Sequence, residues 1–84
     1  MAYSDEIARG IFSFLKDKGF EVETVTGITA TGHAAYVYDK HHGLEFIGTS
    51  VSLWDRDTRN YISSAVVATN DPKLLDKILE YFRS

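Results

Sequence analysis

Two short helical stripes bracket residues 20–69, a stretch in which no helical period can be found, and that arrangement limits the fold more than any other feature of the chain. At the amino end, Ser4 followed by Asp5 and Glu6 predicts a helix N-cap with acids in the first turn, where the helix dipole favours negative charge. Ile7, Ile11, Phe14 and Leu15 recur at helical spacing, and Lys16, Lys18 and Gly19 supply a basic last turn and a stop. The spacing predicts a helix over 5–18. At the other end, Asp71 serves as N-cap and Pro72 takes the first helical position, where its missing N–H costs nothing. Leu75, Ile78, Leu79 and Phe82, widened by Leu74 and Tyr81, form the apolar stripe of a helix over 72–83.

Between them the residues are β-branched, aromatic or threonine, with turn signals at regular intervals. Segments 20–29, 33–39, 44–54 and 60–69 read as four strands, and the short connections favour an antiparallel meander. The expected fold class is α+β: a two-layer α-β-β-β-β-α domain over 1–84, with both helices on one face of the sheet. At 84 residues such a domain buries only about 60% of its unfolded surface. Its core is thin, and self-association is a common supplement.

The turns set the register. Lys40-His41-His42-Gly43 fits a four-residue hairpin loop with Gly43 in the left-handed position, which places Val37 opposite Phe46 and Tyr36 opposite Ile47. Arg56-Asp57-Thr58-Arg59 is a second such loop, setting Trp54 opposite Tyr61 and Leu53 opposite Ile62. Strict alternation then puts Tyr36, Tyr38, Ile47, Val51, Leu53, Ile62, Val66 and Ala68 under the helices. The helix-free face receives Ala35, Val37, Phe46, Gly48, Ser50, Ser52, Trp54, Tyr61, Ser63, Ala65 and Val67. Such a face is too apolar to remain wet, and a one-residue slip would exchange the two sets.

Most chemical functions find no support. No cysteine is present, which removes thiolate metal sites and cysteine nucleophiles. The formal charge of −3, with bases interleaved among acids, argues against nucleic acid. No apolar run approaches a membrane span, and the expected setting is soluble and cytoplasmic. His41 and His42 diverge as neighbours, and the loose further ligands are His33, Asp39 and Asp57. His33 lies about 20 Å from the turn by strand rise, so a hairpin tip is expected and no metal. Counted from Asp55, a calcium loop would need ligands and glycine where Arg59, Asn60 and Val66 stand. The Gly/Thr-rich 26–33 stretch lacks the lysine and following helix of a phosphate loop. Ser50 opposite His33 is the nearest approach to a catalytic pair, with no third member.

The expected function is therefore a non-catalytic protein-interaction module, a small adaptor, inhibitor or regulator that binds stoichiometrically and forms a homodimer. Its expected interface comprises Val37, Phe46, Trp54, Tyr61 and Val67, and no cofactor is expected. Size alone suits a viral or mobile-element accessory protein. The alternative is a small-ligand or nucleotide-binding domain, or a weak enzyme, with a pocket between the 26–33 loop and the helix-free face.

Overall fold

A computed structural model describes residues 3–29 and 32–84; the side chains of residues 28, 29 and 63–66 lie outside the described set. The elements run α1 (Tyr3–Asp17), β1 (Glu23–Thr29), β2 (Gly32–Tyr38), β3 (His42–Ile47), β4 (Ser50–Asp55), β5 (Asn60–Ala68) and α2 (Leu74–Arg83). The strands form an antiparallel meander in the order β1-β2-β3-β4-β5, and both helices cover the same face. The fold is thus α+β with terminal helices, as expected, but with five strands in place of four. Among the described residues no helix is long and apolar enough to cross a membrane.

Helix α1 turns its Ala8, Ile11 and Leu15 side into the core. It ends on Gly19 at φ +93°, with the Gly19 amide bonded to the Lys16 carbonyl and the Phe20 amide to the Leu15 carbonyl. That pair of bonds is a Schellman stop, and it delivers the Phe20 ring edge-on to Phe82 of α2 at 6.0 Å. The helix starts at Tyr3, two residues before the Asp5 start that Ser4 as cap requires. Ser4 is buried in the first turn, and Asp5 bonds His33 Nε2 of β2 at 2.8 Å, pinning helix to sheet. In α2 the inward residues are Leu74, Ile78 and Phe82, while Leu75 is 44% exposed. The Asp71 carboxylate accepts the Lys73 amide and the Lys77 ammonium, at 2.8 Å each, ahead of the first regular turn.

The additional strand arises at Gly48-Thr49. Gly48 adopts φ +57°, a left-handed conformation that favours glycine, and the chain reverses so that Ile47 faces Ser50 and Phe46 faces Val51. A two-residue turn pairs even-numbered positions before it with odd-numbered positions after it. Alternation carried unbroken through 44–54 therefore cannot be right on both sides of the turn: it holds for Val51, Leu53 and Trp54 after it and fails for Phe46 before it. Val37, Leu44, Phe46, Val51 and Val67 all lie under the helices with Ala35, each at most 7% exposed. Val37, Phe46 and Val67 are accordingly core residues, not interface residues. Tyr36 and Tyr38, expected beneath the helices, stand on the open face. Val51 and Leu53 are core-side as expected. Val67 changes side for a related reason. Trp54 pairs with Tyr61, but Ser52 pairs with Val66, so β5 carries extra residues between the two pairs and its alternation breaks. The facings expected for Ser63, Ala65 and Val66 fall on side chains outside the described set.

Candidate functional site: an aromatic hollow on the helix-free sheet face

The β2–β3 hairpin is tighter than its sequence suggests. Tyr38 pairs with Gly43 and Tyr36 with Glu45, two positions away from the expected register. The Asp39 carboxylate organises this turn, accepting the His41 amide at 2.9 Å, the His42 amide at 2.7 Å and His42 Nδ1 at 3.0 Å. Burial pulls the Asp39 carboxyl upward, but the two amides and the His42 ring outweigh it and hold the group below its usual range. His42 packs against Tyr81 and Phe82 at 5.0 and 5.3 Å, and His41 reaches Asp57 at 2.8 Å. Each histidine has its own carboxylate, and among the described residues no three potential ligands gather around a metal position. The pair is a hairpin tip tied down by acids.

Gly43, free of any turn duty, has a different one. A Cβ there would lie 3.0 Å from Trp54 Cδ1 and 3.3 Å from Trp54 Cβ. The glycine lets the indole lie close over β3. Tyr81 of α2 donates to the Trp54 carbonyl at 2.5 Å and accepts the Gly43 amide at 3.4 Å, which joins the helix to the strand that carries the indole. The 56–59 loop forms as expected, with Trp54 opposite Tyr61. Their rings meet edge-on at 4.7 Å and 74°, forming two walls of a corner.

The result is a hollow of about 470 Å³ on the helix-free face, lined by Val25, Tyr36, Tyr38, Gly43, Leu44, Glu45, Trp54, Arg56 and Tyr61. Its size lies in the range of ordinary small-ligand sites. Glu45 is its chemical centre: one carboxylate oxygen accepts the Tyr36 hydroxyl at 2.9 Å, the other the Tyr61 hydroxyl at 2.6 Å. The bond to Glu45, aided by burial and by the charge of Glu45, pushes the Tyr61 phenol up to about 12. Tyr36 is raised as well, by burial first and then by Glu45. Both phenols therefore stay protonated at neutral pH and act as donors, not as bases. At the rim, the Arg56 guanidinium stacks over the Tyr38 ring at 4.7 Å and donates to the Asp39 carbonyl at 2.7 Å.

Of the residues expected at an interface, this arrangement brings together Trp54 and Tyr61 and excludes Val37, Phe46 and Val67. Sequence reasoning missed Tyr36, Glu45 and Arg56. Glu45 carried a signal: it is an acid within a strand, flanked by buried Leu44 and Phe46. Ser50 and His33, considered as a catalytic pair, lie on β4 and β2 with β3 between them. Ser50 donates to the Ile47 carbonyl, and His33 binds Asp5. The 26–33 stretch, expected as a loop, is mostly the paired ends of β1 and β2, and it contributes nothing to the hollow among the described residues; residues 30 and 31 and the side chains of 28 and 29 lie outside them. Comparison with protein-family models, curated proteins and solved structures yields no match for the sequence or the fold.

Proposed function

We propose that this protein is a non-catalytic binding module that seats a group of its partner in the aromatic hollow of the helix-free sheet face. The observation that carries this reading is the convergence of Tyr36 and Tyr61 hydroxyls on Glu45 beneath the Trp54–Tyr61 corner. Hydrogen bonds hold these side chains in place before anything binds, which lowers the ordering cost of association. The same groups do not make a catalyst: the phenols hold their protons, and the carboxylate is engaged by both of them. A fragment set of small cations, anions and neutral aromatics, mapped by backbone amide shifts, tests the reading. Shifts should cluster on Val25, Tyr36, Glu45, Trp54 and Tyr61 and vanish in a folded Trp54→Ala variant. Hits that map elsewhere, or that survive Trp54→Ala unchanged, would refute it.

A second reading has a specific observation behind it. Val25 and Tyr61 are 48% and 54% exposed on the two edge strands, so apolar surface flanks the hollow on both sides. A second copy of the chain covering that face would form the homodimer. Light scattering across a dilution series distinguishes the two: a dimer dissociated by Trp54→Ala supports self-association, and a monomer at every concentration ends that reading.

A further inference from the structure

We infer that the hollow takes an organic cation, and specifically a fully alkylated ammonium group; the inference rests on the binding-module reading above. Three kinds of occupant can be compared. An anion would approach the Glu45 carboxylate, and the one nearby guanidinium is at the rim, already stacked on Tyr38 and bonded to the Asp39 carbonyl. A neutral apolar group would strip water from Glu45 and return no counter-charge, which is unfavourable for a carboxylate. A cation gains from both components of the site: the Glu45 carboxylate supplies a counter-charge, and the aromatic rings that line the hollow are the groups that attract cations. The stacked Arg56 shows one such contact already made within the chain.

The degree of alkylation follows from counting acceptors. A primary ammonium carries three N–H donors, all of which need partners once it leaves water. Here each Glu45 oxygen already accepts one phenol, so the carboxylate has about two lone pairs left for three donors, and the rest of the lining is the rings of Tyr36, Tyr38, Trp54 and Tyr61 with Val25, Leu44, Gly43 and the donor-only Arg56. A quaternary ammonium has no N–H to satisfy and presents methyl groups to the rings. The hollow, at about 470 Å³, is also larger than such a head group alone, leaving room for an attached chain. Tyr36 and Tyr61 contribute by holding Glu45 in place, and Trp54 and Tyr61 by forming the corner.

The test compares choline with 3,3-dimethylbutan-1-ol, its uncharged isostere, and with ethanolamine, its primary-amine counterpart, followed by the fluorescence of Trp54, the single tryptophan. Choline should bind at least about tenfold more tightly than either. Glu45→Gln should weaken choline by at least about tenfold while binding the neutral isostere at least as well as wild type does. A peptide bearing trimethyllysine separates the two sources of this chemistry: tighter binding than choline identifies a protein-borne cation, equal binding a free one. Equal affinity for choline and its neutral isostere, or ethanolamine binding better than choline, overturns the cation assignment while leaving the hollow a binding site. If no probe produces saturable change and no fragment maps to the hollow, the binding-module reading fails with it.

Discussion

Replacing Phe46 by alanine separates the two possible facings of the sheet more cleanly than any other single change. In the structure its ring is fully buried, flanked across the strands by Ala35 and Val51, in the cluster shared with Leu15, Ile78 and Phe82. The small Ala35 side chain leaves space that the ring fills, so truncation opens a cavity that neighbours cannot easily close. Phe→Ala at such a site costs about 3–5 kcal/mol. A domain of this length has roughly 4–13 kcal/mol in total, so the variant should lose a large share of its stability. At about 4–8 °C per kcal/mol the melting temperature should fall by at least about 12 °C. Trp54→Ala removes a half-buried indole and one ring contact and should cost less, about 1–2 kcal/mol. The assay is thermal and urea unfolding followed by far-ultraviolet circular dichroism, because fluorescence would lose its reporter in Trp54→Ala. If Phe46→Ala fails to fold, Phe46→Leu should lower stability by about 1–1.5 kcal/mol and keep the comparison quantitative. A Phe46→Ala protein as stable as Trp54→Ala would place the ring outside the core and refute the facing derived from the Gly48-Thr49 turn.

Two further outcomes concern protons. Tyr61, held protonated by its bond to Glu45, should show phenolate absorbance only near pH 12, and Glu45→Gln should return that transition toward the ordinary tyrosine value; an unchanged titration would remove the bond from the argument. Because the folded-state value is raised, the associated stability is complete below the ordinary tyrosine value of about 10 and disappears as pH rises through about 12. Asp39 has the opposite sign: its folded value is lowered, so the stability it provides is present above the ordinary carboxyl value of about 4 and is lost as pH falls through the lower folded value. Asp39→Asn should therefore be less stable than wild type at neutral pH and converge with it in acid; parallel pH–stability curves would contradict the depressed value.

Much of the hollow could not be read from the chain because it depends on parity. Gly48 looks in the sequence like a small residue inside a strand, and only its positive φ shows it to be a turn. Once the chain reverses there, Phe46 and Trp54, both even-numbered on one apparent strand, point to opposite faces. The extra residues in β5 do the same to Tyr61 and Val67. Gly43 shows the converse error: its glycine was needed for the approach of an indole and not for a turn. The hairpin at 56–59 was legible because charged turn residues sit between two aromatic strand ends, and its Trp54–Tyr61 pair formed as expected.

What the chain determined by itself was local. Helical spacing and the Gly19 stop defined both helices, with the Asp71-Pro72 signal falling just ahead of the observed start of α2 at Leu74, and β-branched and aromatic composition defined a meander between them. These signals act over a few residues and survive any choice of register. Tertiary structure alone decided which face of each strand the helices cover. That choice depends on packing Phe46, Val51 and Val67 against Leu15, Ile78 and Phe82, and each turn or bulge along the way can reverse it. The convergence of Tyr36, Glu45, Trp54 and Tyr61 follows from that choice, because residues on different strands become neighbours only when the register is set.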